Sequence, residues 1–184
     1  MNEEVQFVLD AAKEHMDNAI KHLIKELGNI RAGKASPTML KNVMVEYYGS
    51  QTPLNQVANV NTPDPRTITV QPWEKGMLKE IEKAIMAANL GFNPMNNGES
   101  VIINVPVLTE ERRKKLAKQA KSVAEDDKVS VRNARRDALH DLKKLDISED
   151  MESNVSTDIQ ELTDSYIEKI DQLYEQKEKE IMTI

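Results

Sequence analysis

Three long stretches of this chain repeat apolar residues every three or four positions, the spacing that lines one face of an α-helix. In the first, Val5, Leu9, Ala12, Met16, Ala19, Leu23, Leu27 and Ile30 fall in phase. In the second the stripe is Leu116, Ala120, Val123, Val131, Ala134, Ala138, Leu142 and Leu145, interrupted by charge around Asp127. In the third it is Val155, Ile159, Leu162, Tyr166, Ile170, Leu173 and Ile181. Only Gly28 breaks the absence of glycine and proline within them, so each is predicted to run unbroken. At about 1.5 Å rise per residue the second and third are rods of roughly 50 Å. Thr109 is placed to cap the second, with Glu110 and Glu111 in its first turn, and Ser148 to cap the third. Narrow stripes exclude water by facing one another, so a three-helix bundle with coiled-coil-like seams is predicted.

Residues 31–108 read differently. They hold all seven prolines and five of the six glycines. Val43–Tyr48 is β-branched and aromatic and runs into a Gly49-Ser50 turn, and 56–60, 67–71 and 101–105 are further strand candidates. Between them Met77, Leu78, Ile81, Ile85 and Ala88 recur at helical spacing over 75–90, with Gly91 as the expected stop. The fold class is therefore α+β: a long antiparallel three-helix bundle (1–30 and 107–184) carrying an inserted small α+β (β/α/β) domain (31–106). The chain must pass between the two bodies twice, through 31–37 (RAGKASP) and 104–108 (NVPVL). Two short glycine- or proline-bearing connections side by side form a hinge, with Gly33, Lys34, Val105 and Pro106 at its centre.

Charge sharpens this picture. The net charge is -6, but residues 1–30, 31–108, 109–145 and 146–184 carry -3, +1, +5 and -9 respectively. One helix is basic inside an acidic protein. Lys114, Lys118, Lys121, Lys128, Arg132, Arg135, Arg136 and Lys143 fall opposite its apolar stripe, with Glu125 and His140 on the same face. Arg132, Arg135 and Arg136 have no acidic residue three or four positions away, where helix neighbours meet. Two readings stay open on these grounds: a solvated face bridged to the acidic third helix, or a grip on a polyanion, for which arginine's planar fork suits phosphate.

Other chemistry is thinly represented. There is no cysteine, so disulfides and thiolate metal sites are excluded. No apolar run is long enough to span a bilayer. Gly33-Lys34 lacks the spacing of a phosphate-binding loop. His15, His22 and His140 read as helix-surface histidines, and Trp73 with Tyr47-Tyr48 as packing groups. No catalytic residues, metal or cofactor are expected.

Several motifs in order resemble the ribosome recycling factor family along essentially the whole chain. They are RAGKASP at 31–37, VEYYG at 45–49 followed by Thr52-Pro53-Leu54, EKAIM at 82–86 with Leu90-Gly91 and Asn93-Pro94, LTEERRK at 108–114, VRNARRD at 131–137 and ISED at 147–150. The resemblance implies an L-shaped, tRNA-sized monomer in the cytoplasm. It implies a non-enzymatic factor that binds large-subunit ribosomal RNA and acts with elongation factor G and its GTP hydrolysis. Together they part the post-termination ribosome into subunits and release mRNA and deacylated tRNA. Matching motifs carry RNA contact onto Arg31, Arg132, Arg135 and Arg136, and Lys128 joins them on the same face; Arg112 and Arg113 serve either RNA contact or the hinge. The chain departs from the family pattern at Ile102, where an arginine is common, and at Val107, where a second proline is usual. The rival reading from a different class is an acidic helical interaction module or holdase with no ribosome role.

Overall fold

The computed structural model describes residues 2–91 and 93–183. The chain divides into two compact units, one running through Ala32 and resuming at Glu110, the other Gly33–Thr109.

The first unit is built from α1 (Glu3–Asn29), α3 (Glu110–Lys143) and α4 (Glu149–Met182). Asn2 caps α1 through a bond from Glu4 N–H at 2.9 Å, and Ser148 caps α4 through Met151 N–H at 3.2 Å. Val5, Val8, Ala12, Ala138, Leu142, Val155 and Ile159 close one end of the shared core. The buried stripes differ from expectation by single positions: Val8 replaces Leu9, Ala124 replaces Val123 and Thr163 replaces Leu162. Small side chains at the seam let the helices approach, and the Thr163 hydroxyl donates to the Ile159 carbonyl one turn back at 2.7 Å.

The largest departure is Asp127. It reads in sequence as a break in the α3 stripe, yet it is 3% exposed and continues the stripe between Ala124 and Val131. A buried carboxylate needs donors. His22 of α1 supplies one, its Nδ1 lying 2.9 and 3.1 Å from the two Asp127 oxygens. With the carboxylate ionised, Nδ1 carries the proton. Burial pushes the Asp127 carboxyl above its ordinary range, and the His22 imidazole opposes that shift. His22 is thus a cross-helix partner and not an ordinary surface histidine. A second polar link joins the Tyr166 hydroxyl of α4, as donor, to Asp17 Oδ1 of α1.

The second unit holds β1 (Met44–Tyr47), β2 (Ser50–Pro53), β3 (Ala58–Asp64), β4 (Thr67–Pro72), α2 (Leu78–Ala87), β5 (Pro94–Asn96) and β6 (Val101–Asn104). β1 and β2 form a hairpin, and the others an antiparallel sheet in the order β3-β4-β6-β5. The two central strands pair Ile68 with Ile103 and Val70 with Val101, all buried on one face. Leu78, Ile81 and Ile85 of α2 complete that core. α2 stops earlier than its sequence implies, because Asn89 (φ +50°) takes the left-handed position just past it, ahead of Gly91. The β1–β2 turn has positive φ at both Tyr48 (+47°) and Gly49 (+84°), the geometry that suits a two-residue hairpin. Tyr48 is consequently 81% exposed and Trp73 is exposed as well, so neither is the packing group its residue type implied.

Both chain passages are anchored to one turn of this unit. Ala35 N–H donates to the Pro65 carbonyl and Val105 N–H to the Arg66 carbonyl, each at 2.7 Å. The turn itself is held by Arg66 N–H on Asp64 Oδ1 at 2.8 Å, a bond that keeps the Asp64 carboxyl below its ordinary range. Gly33 sits at φ +76°, and a Cβ there would lie 2.6 Å from Leu108 Cγ.

Two outcomes are expected. Gly33→Ala combines left-handed strain with that collision and should destabilise the chain by about 2–3 kcal/mol. Gly49→Ala meets nothing within 4 Å and should cost only about 1 kcal/mol. Thermal melts of the two variants check the difference. The second outcome concerns pH. Burial, then the bond to Asp17, raises the Tyr166 hydroxyl to about 12. A group whose native pKa is raised stabilises fully below its unfolded value, about 10, and loses that contribution as pH rises through about 12. Tyr166→Phe should therefore flatten the decline in stability between about pH 10 and 12, measured by denaturant titration across that range.

Candidate nucleic-acid interface

α3 buries Leu116, Ala120, Ala124, Asp127, Val131, Ala134, Ala138 and Leu142. With 3.6 residues per turn, that stripe forces Lys118, Lys121, Arg132, Arg136 and Lys143 outward, and all five are exposed. What each cation faces decides whether the face is free. Lys114 and Lys115 pair one turn back with Glu110 and Glu111 at 3.3 and 3.6 Å. Such exposed pairs contribute little and yield readily to a stronger anion.

Lys128 behaves otherwise. Its ammonium lies 2.5 Å from Asp171 of α4 and 3.4 Å from Glu125, and its side chain is only 16% exposed. The Asp171 carboxylate holds the Lys128 ammonium above its ordinary range. This residue belongs to the bundle's own cross-links.

The three arginines are not neutralised by α4. Arg132 is exposed and has no hydrogen bond or ion pair among the described residues. Arg135 is half-buried and donates from Nη1 to the uncharged amide oxygen of Gln160 at 3.2 Å. Arg136 pairs through Nε with the adjacent Asp137 at 3.5 Å, both side chains about 70% exposed (71% and 69%). That neighbour contact escaped a reading confined to three- and four-residue offsets; a guanidinium on a flexible stem reaches an adjacent carboxylate when both project into water. Of Lys128, Arg132, Arg135 and Arg136, then, only Lys128 is tied to a carboxylate of the acidic helix.

The remaining sequence-selected residues lie elsewhere. Arg31 is exposed just past α1. Arg112 is exposed and Arg113 half-buried in the first turn of α3, with Arg113 Nε enclosed and unpartnered. Lys34 and Pro106 are exposed, and Val105 is buried. Among the described residues no cluster of histidine and carboxylates could hold a metal ion, and no helix is long and apolar enough to cross a membrane. The link that sequence reading missed is His22–Asp127. Its signal was present: Asp127 lies three residues after Ala124 and four before Val131, in step with the buried stripe.

Comparison with known proteins agrees with this architecture. The family model for "Ribosome recycling factor" matches residues 23–182. The ribosome-recycling factor of Christiangramia forsetii is 66% identical over 182 residues, covering 99% of this chain and 100% of that protein. That of Flavobacterium psychrophilum is 59% identical and covers 100% of both. A solution structure of the ribosome recycling factor superposes with a TM-score of 0.78 at 36% identity, covering 100% of each chain. The T. thermophilus ribosome recycling factor, from a study that places it and E. coli elongation factor G on the E. coli post-termination complex, gives 0.61 at 45% identity over 97% of this chain and 99% of that one. With a family match across most of its length and relatives this similar end to end, the chain belongs to the ribosome recycling factor family.

Proposed function

We propose that this protein recycles ribosomes by mechanical binding, with no covalent chemistry of its own. It seats the outer face of α3 on ribosomal RNA of the large subunit. It cooperates there with elongation factor G, whose GTP hydrolysis supplies the work that separates the subunits and frees mRNA and tRNA. The observation that carries this reading is the state of Arg132, Arg135 and Arg136. Like-charge neighbours on a helix cost a few tenths of a kcal/mol per pair, and no carboxylate of α4 offsets them. Phosphates would. Counterion release then drives binding and makes it salt-dependent.

Arg31 extends the RNA-contacting set, while Lys128 supports it from within the bundle. The two connections are the proposed hinge. Because Ala35 and Val105 are each bonded to the 65–66 turn, torsional freedom is confined to about 31–34 and 106–108, where Gly33 supplies a left-handed conformation and Val107 leaves φ unfixed. Val105 is the anchor of that hinge and Pro106 its stiff first step. The factor acts wherever its ribosomes are, which for a bacterial chain is the cytoplasm.

Co-sedimentation with purified large subunits at two salt concentrations tests the reading. Arg132→Glu with Arg135→Glu should weaken binding at least about tenfold, since a charge-assisted contact to phosphate is worth about 1.5–3 kcal/mol. It should also reduce the salt slope by about two, while helical content and melting stay close to the parent's. Unchanged affinity in a folded double variant would end this assignment.

A further inference from the structure

Arg135, Arg136, Leu139, His140 and Lys143 line an open, shallow recess of about 310 Å³ on the outer side of α3. Its makeup is unusual for a solvated helix face. Three permanent cations and an imidazole ring surround one half-buried leucine, and no carboxylate lines it. The two nearby acids are already engaged, Asp137 by Arg136 Nε and Asp141 by Lys144 at 3.5 Å. His140 and Lys143 make no hydrogen bond or ion pair among the described residues. Leu139 packs against the bundle core, which fixes the floor of the recess.

We propose that this recess is a subsite for one unpaired nucleotide of RNA; the proposal rests on the RNA-binding role of α3 and adds a place within it. A regular A-form duplex presents phosphates and 2′-hydroxyls to such a face, and cations alone meet those. The leucine floor offers a phosphate nothing, whereas the imidazole ring beside it has a face as well as an N–H. Floor and ring together fit the face of a splayed-out base, which stacks on aromatic or apolar groups without regard to sequence. Arg136, His140 and Lys143 stand four and three residues apart, so successive side chains advance about 4.5–6 Å along the helix. The base lies over Leu139 and His140, with the flanking phosphates on Arg136 and Lys143. Arg135, held by Gln160, borders the recess on the side of α4.

The test uses the full-length chain and two fluorescent probes, a single-stranded adenylate dodecamer and an RNA duplex of the same length. His140→Ala should weaken single-strand binding about five- to tenfold, the range of one lost base-stacking contact, and leave duplex binding within about twofold. His140→Trp, a larger platform at the same exposed position, should restore or exceed the parent's single-strand affinity. Equal loss on both probes, or no loss on either, overturns the subsite. Those results leave the wider reading standing, because that reading is decided separately by Arg132→Glu with Arg135→Glu on large subunits.

Discussion

The apolar side chains of α3 can leave water only by packing against α1 and α4, and that requirement fixes where every other side chain of the helix goes. Alanine dominates the stripe, at Ala120, Ala124, Ala134 and Ala138, so the seam is narrow and most of the helix circumference remains outside it. A sequence with as many charges as 109–145 can form a buried helix only on such terms. The basic face is thus a consequence of the packing: cations project outward because the inward positions are filled.

Two part-buried hydrogen bonds tie α1 to its neighbours, His22–Asp127 to α3 and Tyr166–Asp17 to α4. Buried polar groups add little net stability relative to well-packed apolar ones, but a shifted register strands them without partners. Alanine-rich stripes slide easily past one another, since one methyl group resembles the next. The links sit on α1 between Met16 and Leu23, and each ties α1 to a different neighbour. The apolar stripes gather the helices, and the polar pairs select one alignment.

Sequence periodicity was enough to place the three rods, because the apolar residues of each stay in phase along it, on both sides of the charged interruption in α3. Charge counting by segment was enough to single out α3. The misses share a physical origin. β2 (SQTP) and β5 (PMN) are short edge strands with few apolar residues, so alternation gives them no signal. Asp127 was read by its charge when its phase was the better guide. The arginine cluster was legible because helix offsets expose missing partners, whereas the Lys128–Asp171 pair was not, since it joins residues 43 positions apart through a packing that one helix alone does not define. The family's motifs suggested the role proposed for the cluster; geometry supplied which of its members α4 leaves unneutralised.

Lys128 has a wider effect on the shape of the electric field around α3. Its charge is taken up by Asp171 and Glu125, and Glu125 and Asp126 are exposed beside it. The outward potential therefore falls near the middle of the rod and divides into two positive lobes, Lys118 with Lys121 and Arg132 with Arg136 and Lys143. From Lys121 to Arg132 the helix rises about 16 Å, roughly twice the screening distance of about 8 Å at physiological ionic strength. A polyanion would meet the lobes as two separate patches. A surface that engages both fixes the direction of the rod as well as its position, which a single continuous patch of the same charge would leave free to pivot.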